Sequence, residues 1–286
     1  MEDKMKKIEI ARQFLTDHLE LFRCPVCEQP FVTADEQGLL CPNRHQFDLN
    51  KKGTLYFLAK KFSGEYDGEM LAARQRIIQA GLFDGILAKA AETITSSHAA
   101  ILDVGCGEGT PLNKLLKLRG NQDYGVGFDI SKPGINLANN QATPSFFCVA
   151  DLARLPFNDH SMDVVFDLFS PSAYGEFNRV VKPGGQLIKI IPNSDYLMEL
   201  RHLLYPEGSK NQSYSNKEVV DLFVKHYPNS TQQQITYQFD LSQVANQDLL
   251  IMTPLHWGQG SQPVTAEKLN SLSQITVSVT MLVQQF

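Results

Sequence analysis

Three glycines that closely follow an aspartate are the residues of this chain best suited to binding a ligand. The run ILDVGCGEG, Ile101 to Gly109, places an apolar stretch before Asp103, Gly105 and Gly107. This pattern predicts a buried parallel strand, a tight turn and the start of a helix. Because glycine has no Cβ, such a turn lets a ligand approach the backbone closely. A glycine-rich turn that binds nothing is the alternative interpretation.

Two further aspartates end predicted strands. Asp129 ends YGVGFD about twenty residues after the glycine turn, where a carboxylate can accept hydrogen bonds from both hydroxyls of a ribose. Asp151 ends FFCVAD and can accept from an exocyclic adenine amine, while apolar neighbours such as Ile130 and Leu152 cover the ring. Either aspartate could instead cap the helix or turn that follows it.

A cluster of cysteines near the N-terminus has the spacing of a zinc site. CPVC and CPNRH together give the pattern C-x2-C-x13-C-x3-H, formed by Cys24, Cys27, Cys41 and His45. Two short strands joined by a polar turn at 35–38 are predicted between the two pairs. Four protein ligands would fill a tetrahedral Zn²⁺ site and leave no position for water, which indicates a structural metal. Four unrelated side chains are the alternative.

Alternating strand and helix patterns must position these residues. We predict parallel strands at 100–104, 124–128, 145–149, 163–168 and 186–191, with helices between most of them. The fold class is therefore α/β, with a doubly wound, mostly parallel sheet that binds its ligand at the carboxyl ends of the strands. The C-terminal VSVTMLVQQF alternates and predicts an added antiparallel strand.

The remainder of the chain divides into smaller units. Residues 1–20 predict an amphipathic helical extension, with Ile8, Phe14 and Leu15 on one face. We place the zinc-binding module at 21–62, a helical linker broken near Gly81 at 63–98, and the large α/β domain at 99–286.

Composition limits the class of protein. The 286 residues are 43% hydrophobic and 20% charged, as in ordinary globular proteins. No apolar run approaches the roughly 20 residues of a membrane span, and the charged N-terminus lacks the features of a secretory signal. We therefore expect a cytoplasmic protein without a membrane partner. An odd number of cysteines, five, argues against a disulfide framework.

Together these motifs resemble those of a known enzyme class. The glycine turn, FDIS, ADLARLPF and VVKPGG resemble, in order, the motifs of class I S-adenosylmethionine-dependent methyltransferases, whose fold is Rossmann-like. CPNRHQFD, YLMELRHLLY and MTPLHW are more specific. From Cys24 to Trp257 the chain closely resembles the 23S rRNA (guanine-N1)-methyltransferases, which modify a hairpin-loop guanine.

The resemblance implies two cofactors and their ligands. Structural Zn²⁺ is expected on the three cysteines and His45. For S-adenosylmethionine, the resemblance and the residue patterns together give ten contacts: Phe83, Asp103, Gly105, Gly107, Glu108, Asp129, Ile130, Asp151, Leu152 and Tyr196. Two of these depart from the family pattern, because Phe83 replaces a tyrosine and Tyr196 replaces a histidine.

The substrate side is predicted from DLFSP, which ends the fourth parallel strand. We expect Asp167, Ser170 and Pro171 to form the floor of the base pocket, with Asp167 as the acceptor of the guanine proton. Asp167 could instead bind a neighbouring backbone amide. Trp257 and Tyr205 are candidate stacking surfaces for RNA bases.

A net charge of −5 does not favour non-specific RNA binding, so local basic residues must supply the affinity. The candidates are Arg44, Lys51, Lys52, Lys60, Lys61, Arg74 and Arg76.

Two other functions remain open at this point. A methyltransferase of a small metabolite would share the central domain, and a zinc-containing RNA-binding protein without activity could retain the same fold. A homodimer that presents two zinc modules to one RNA is compatible with the sequence, although no particular residue indicates it.

Overall fold

A computed structural model describes residues 5–35, 37–58, 68–141, 143–209, 212 and 214–286. The chain begins with helix α1, Lys7–Asp17, and a short 3-10 turn, Leu19–Leu21. Ala11, Phe14 and Leu15 form the buried face of α1, which confirms the predicted amphipathic helix. The predicted basic residues Lys60 and Lys61 lie outside the described residues.

The zinc module that follows contains a small antiparallel sheet. Its strands are β1, Thr33–Ala34, β2, Gly38–Leu40, and β3, Gln46–Asp48, in the order β1-β2-β3. The two strands between the cysteine pairs were predicted, whereas β3 was not.

The large sheet begins after two helices, α2, Gly68–Gln79, and α3, Asp84–Thr93. The central elements are β4, Ala100–Val104; α4, Thr110–Leu118; β5, Tyr124–Asp129; α5, Lys132–Ala138; β6, Phe146–Val149; β7, Met162–Leu168; α6, Tyr174–Val180; and β8, Val181–Pro192. All five predicted parallel strands are present. Asp103 lies on β4, between β5 and β7, and its register partners are Gly127 of β5 and Phe166 of β7.

The C-terminal part adds the elements α7, Met198–Leu204; α8, Lys217–His226; β9, Thr231–Asp240; α9, Asn246–Ile251; α10, Ala266–Asn270; and β10, Gln274–Gln285. The seven strands are ordered β6-β5-β4-β7-β8-β10-β9. β10 is antiparallel to both of its neighbours, as predicted for the C-terminal strand. The edge strand β9 was not predicted.

The zinc module packs onto the large sheet through a shared core. Leu39 and Phe22 belong to the same buried cluster as Leu102 and Val104, which lie on one face of β4. The backbone of Val149 donates to Leu55 and accepts from Phe57, so the segment after the module pairs with β6. The module is therefore fixed beside the carboxyl end of β6. Among the described helices, none combines the length and apolarity that crossing a membrane requires.

Candidate active site

A cavity of about 350 Å³ lies at the carboxyl ends of β4, β5, β6 and β7. Eight of the ten predicted cofactor residues line it: Asp103, Gly105, Gly107, Glu108, Asp129, Ile130, Asp151 and Leu152. The predicted substrate residues Arg74, Ser170 and Pro171 line it as well. The strands end together at this edge of the sheet, which is where an open α/β sheet binds its ligands.

The backbone of the glycine turn has positive φ angles, at which residues other than glycine are strained. Gly105, Gly107 and Gly109 have φ angles of 63°, 55° and 80°. A Cβ on Gly105 would lie 2.2 Å from the Ser170 hydroxyl oxygen, whereas a Cβ on Gly107 would meet only Leu71, at 4.0 Å. Gly105 therefore permits close packing against the substrate side, and Gly107 leaves the cavity open.

Asp129 holds the glycine turn against the next helix. Its two carboxylate oxygens accept hydrogen bonds from the backbone of Gly107 at 2.9 Å and of Ser131 at 2.7 Å. Ser131, and not Asp129, is the N-cap of α5, because its hydroxyl accepts from Gly134. The carboxylate oxygens retain lone pairs for the hydroxyls of a ribose.

Asp103 has a buried oxygen, Oδ2, that no described residue donates to. Burial raises the pKa of Asp103 well above its ordinary value, and the nearby Asp129 and Glu108 raise it further. Burial also raises the pKa of Glu108, whose carboxylate accepts from the backbone of Thr110 at 3.2 Å. An unpaired, buried carboxylate oxygen is costly, and a cationic or donor group on a ligand would satisfy it.

The adenine end of the cavity is formed by Asp151 and its apolar neighbours. One oxygen of the exposed Asp151 accepts from the backbone of Ala153 at 2.9 Å, so Asp151 does cap the following turn. The second oxygen remains available to an exocyclic amine. Ile130 and Leu152, both half-buried, flank this end of the cavity.

Phe83 and Tyr196 lie behind the cavity and do not line it. Both are buried, and their rings pack against Phe169 at centroid distances of 5.6 and 5.2 Å. Phe169 itself lines the cavity and has a positive φ of 64°. The two predicted contact residues thus support Phe169, which takes the position at the cavity wall.

Asp167 lies beneath the turn that contains Phe169 and Ser170. It is fully buried, and its oxygens accept from the Ser170 backbone at 3.1 Å and from the Lys189 ammonium at 2.7 Å. Lys189 also donates to the Ser170 carbonyl at 2.8 Å. Burial raises the pKa of Asp167 to about 6, although Lys189 acts in the opposite direction. Asp167 and Lys189 thus hold the amide and the carbonyl of Ser170, which agrees with the alternative interpretation that Asp167 binds a neighbouring backbone amide.

The remaining predicted RNA residues are dispersed. Arg76 donates two hydrogen bonds to Asp248 and does not line the cavity. Arg44, Lys51 and Lys52 are exposed on the zinc-module side of the chain.

The two predicted aromatic stacking surfaces differ in exposure. Trp257 is 48% exposed, and its ring contacts that of His256 at a centroid distance of 4.1 Å. Tyr205 is 4% exposed and its hydroxyl donates to the Leu255 carbonyl at 2.6 Å, so the prediction that it stacks on RNA was wrong.

The four predicted zinc ligands converge. Their donor atoms all lie within 4.8 Å of one another. The sulfurs of Cys27 and Cys41 are 3.6 Å apart, and Nδ1 of His45 lies 3.5 Å from Cys24 and 3.4 Å from Cys41. Tetrahedral bonds of about 2.3 Å to sulfur place two thiolates about 3.8 Å apart, so this donor set fits Zn²⁺. The site is closed by protein ligands and is structural.

Two apolar residues of α2 also line the cavity and were not predicted. Leu71 and Ile78 lie on the same face of α2 as Arg74. Their spacing of three and four residues could have indicated a common face, but the sequence alone does not show that this face covers the cavity.

Comparison with known proteins is consistent with this geometry. The family model described as a methyltransferase domain matches residues 95–245, and the zinc ribbon model described as "RlmA, N-terminal" matches residues 22–59. YxjB of Bacillus subtilis (strain 168), whose name assigns it to the 23S rRNA (guanine-N(1)-)-methyltransferases, is 40% identical over 94% of this chain and 98% of its own length.

A second relative has a name that specifies a nucleotide. The 23S rRNA (guanine(748)-N(1))-methyltransferase of Streptomyces fradiae is 26% identical over 91% of this chain and 95% of its own length. The similarity to both relatives therefore extends over the zinc module and the large domain together.

Proposed function

This chain belongs to the family of 23S rRNA (guanine-N1)-methyltransferases, and we propose that it transfers a methyl group from S-adenosylmethionine to N1 of a hairpin-loop guanine in 23S rRNA. The observation that carries the proposal is the cavity in which Asp103, Asp129 and Asp151 meet at one edge of the sheet. An rRNA substrate implies a cytoplasmic enzyme. A homodimer stays a prediction, which light scattering would test.

The residues of the cavity fit the cofactor group by group. The unpartnered oxygen of Asp103 suits the ammonium of the methionine part, Asp129 suits the ribose hydroxyls, and Asp151 suits the adenine amine. When bound, S-adenosylmethionine supplies an activated methyl group on a sulfonium. The protein then has to align the acceptor nitrogen with that methyl carbon.

The turn of Phe169, Ser170 and Pro171 is the best candidate for the wall that receives the target base. It lines the same cavity and is tied from below by Asp167 and Lys189. Guanine N1 carries a proton and is hydrogen-bonded in a base pair, so the base must be unpaired to react. A loop guanine meets this condition at lower cost than a duplex guanine, whose extrusion requires a few kcal/mol.

The N1 proton leaves as the new bond to carbon forms. Both oxygens of Asp167 are already hydrogen-bonded, which favours a positioning role for this residue and water as the proton acceptor. Asp167 as the acceptor remains a prediction that kinetics can decide.

The zinc module supports rRNA as the substrate. Arg154, three residues after Asp151, donates at 3.3 Å to the carbonyl of Val26, which lies between Cys24 and Cys27 in the zinc module. The zinc module thus lies beside the cavity, and its exposed Arg44 can contact RNA phosphates near the target loop.

Primer extension on 23S rRNA from cells that lack the modification tests the proposal. Methylated N1 blocks base pairing, so a new stop that depends on S-adenosylmethionine should appear at one loop guanine. Asp129→Asn should remove the stop, whereas Asp221→Asn, a change of the same kind at an exposed position of α8, should retain it. No stop with wild-type protein that binds S-adenosylmethionine would contradict an rRNA substrate and favour a small metabolite.

A further inference from the structure

A second cavity, of about 420 Å³, lies between α1 and the loop that precedes β6. We call it the α1 groove. Its lining includes the lysines Lys7 and Lys52, the amide Asn140 and the hydroxyl of Ser145, above an apolar floor that includes Phe146. The zinc site and the cofactor cavity use none of these residues. A groove with cations, amides and an apolar floor has the chemistry that binds nucleotides.

The walls of the α1 groove are held in place by side-chain contacts. The rings of Phe14 and Phe146 stack with a centroid distance of 5.5 Å and an interplanar angle of 12°. The Lys7 ammonium donates to the amide oxygen of Asn140 at 2.8 Å. A Cβ on Gly53 would lie 2.8 Å from the Cβ of Ala11, so the turn that carries Lys52 packs directly against α1.

Positive charge is concentrated on this side of a chain whose net charge is −5. Lys6 and Lys7 lie at the start of α1, and the adjacent turn adds Lys51 and Lys52, all of them exposed. Within the described ranges, none of the four forms an ion pair. Two of the four, Lys7 and Lys52, line the groove, and the other two are their chain neighbours, so this surface is complementary to a polyanion.

The α1 groove is connected to the cofactor cavity by α5 and the loop after it. Gln141, in the groove wall, donates to the backbone carbonyl of Glu108 at 2.5 Å, and Glu108 lines the cofactor cavity. At the other end of α5, exposed Lys132 follows Ser131 of the cavity wall. Seven helical residues span about 10 Å, so one RNA strand can contact both sites.

We propose that the α1 groove binds a single-stranded segment of the rRNA that flanks the target loop, with Lys7 and Lys52 on its phosphates. This inference rests on the proposed function and assigns a role to the N-terminal extension. Phosphate contacts fix the position of an RNA without reading its sequence. The groove therefore contributes affinity and register, whereas the cofactor cavity selects the base.

The test compares Lys7→Glu/Lys52→Glu with Lys117→Glu/Lys268→Glu, which makes the same charge change at exposed lysines of α4 and α10. Filter binding to unmodified, in vitro transcribed 23S rRNA is measured without S-adenosylmethionine at several salt concentrations. We expect the groove variant to bind at least tenfold more weakly than the control. A plot of the logarithm of the binding constant against the logarithm of the salt concentration should have a slope about 1.4 smaller in magnitude for this variant. Each of the two lost contacts with a single strand contributes about 0.7.

Two further measurements keep the interpretation specific. Lys7→Gln/Lys52→Gln should show the same decrease in slope, because it removes both contacts without adding negative charge. The groove variant should keep wild-type affinity for S-adenosylmethionine, because neither lysine lines the cofactor cavity.

The outcomes separate the groove from the reaction. Equal rRNA affinity and equal salt slope in the groove and control variants would overturn the α1 groove as an RNA site, whatever the methylation result. Absence of methylation by wild-type protein would overturn the proposed function, and the binding comparison would still decide the groove.

Discussion

Asp103 combines a buried position with an oxygen that no described residue satisfies. Its raised pKa reflects burial first and the proximity of Asp129 and Glu108 second. A cation bound beside Asp103 would favour the ionised carboxylate and offset both effects. This residue therefore links the electrostatics of the cavity to the binding of S-adenosylmethionine.

Replacing Asp103 with asparagine should weaken the binding of S-adenosylmethionine by about 10- to 100-fold. A hydrogen bond to a charged group contributes about 1.5–3 kcal/mol, and Asp103→Asn removes the charge while keeping the shape. Isothermal titration calorimetry measures the effect, with Asp221→Asn at an exposed position of α8 as the matched control. Equal affinities for the two variants would exclude a direct contact.

The same carboxylate predicts a pH dependence. Because the pKa of Asp103 is raised in the free protein, this carboxylate becomes protonated at a higher pH than an ordinary aspartate does. Protonation removes the negative charge that attracts the ligand. We expect the Kd for S-adenosylmethionine to increase as the pH is lowered, beginning above the ordinary pKa of aspartate, as linkage requires. The dependence should be flatter in Asp103→Asn; identical pH profiles would assign it to other groups.

Lys189 and Asp167 form a buried pair whose role can be separated from proton transfer. Removing one partner of such a pair costs about 3–5 kcal/mol, whereas replacing both with apolar residues is often tolerated. We expect Lys189→Met to lower the free energy of unfolding and Lys189→Met/Asp167→Leu to restore much of it.

Activity is the second measurement on this pair. The double variant should still have a much lower kcat, because the turn of Phe169 and Ser170 has lost both ties. If Asp167 were only the proton acceptor, Lys189→Gln would leave the KM for rRNA unchanged and shift the pH profile of kcat instead.

In the glycine turn, the same glycine is required both by the backbone conformation and by the close packing of its neighbours. Gly105→Ala should greatly weaken the binding of S-adenosylmethionine, because alanine is strained at a φ of 63° and its Cβ would lie 2.2 Å from the Ser170 hydroxyl oxygen. Gly120→Ala is the matched control, since Gly120 also has a positive φ, 76°, but faces open space. Calorimetry should show partial rescue in Gly105→Ala/Ser170→Gly; no rescue would mean that strain at Gly105 is the whole effect.

The zinc module is an element whose stability depends on its metal, since so small a sheet buries little core of its own. Cys27→Ser should lose the bound zinc, measured by atomic absorption, and raise the KM for rRNA at least tenfold. Cys148→Ala, which also removes a thiol, should retain zinc. A Cys27→Ser variant without zinc but with normal rRNA kinetics would show that the module does not contribute to RNA binding.

The strands of the central sheet could be predicted because each is a short buried run that ends at a polar or glycine-rich turn. The edge strand β9 was missed because TQQQITYQFD is mostly polar, and its pairing with β10 is a long-range property. The position of Phe169 between Phe83 and Tyr196 was missed for a similar reason. A positive φ at a phenylalanine and the Asp167–Lys189 pair depend on tertiary contacts that no local pattern encodes.

At the scale of the whole molecule, the zinc module and the large sheet share one core, so the RNA-facing surface is fixed relative to the cofactor cavity. Leu39 of the module and Leu102 of β4 belong to the same buried cluster. An RNA phosphate bound by the module would thus lie at a fixed distance from the cavity. Specificity for one loop requires such a fixed geometry, because phosphate contacts alone do not read sequence.

The net charge of the chain predicts how salt affects RNA binding. With a formal charge of −5, the chain as a whole repels RNA, and binding must depend on a few basic patches. We expect the affinity for 23S rRNA to fall steeply with added salt, with a log–log slope of about −0.7 for each contact with a single strand. Affinity for S-adenosylmethionine should change little, since its contacts lie in a buried cavity that salt screens weakly. Filter binding and calorimetry across the same salt series compare the two, and parallel slopes would mean that the patches do not contact the RNA backbone.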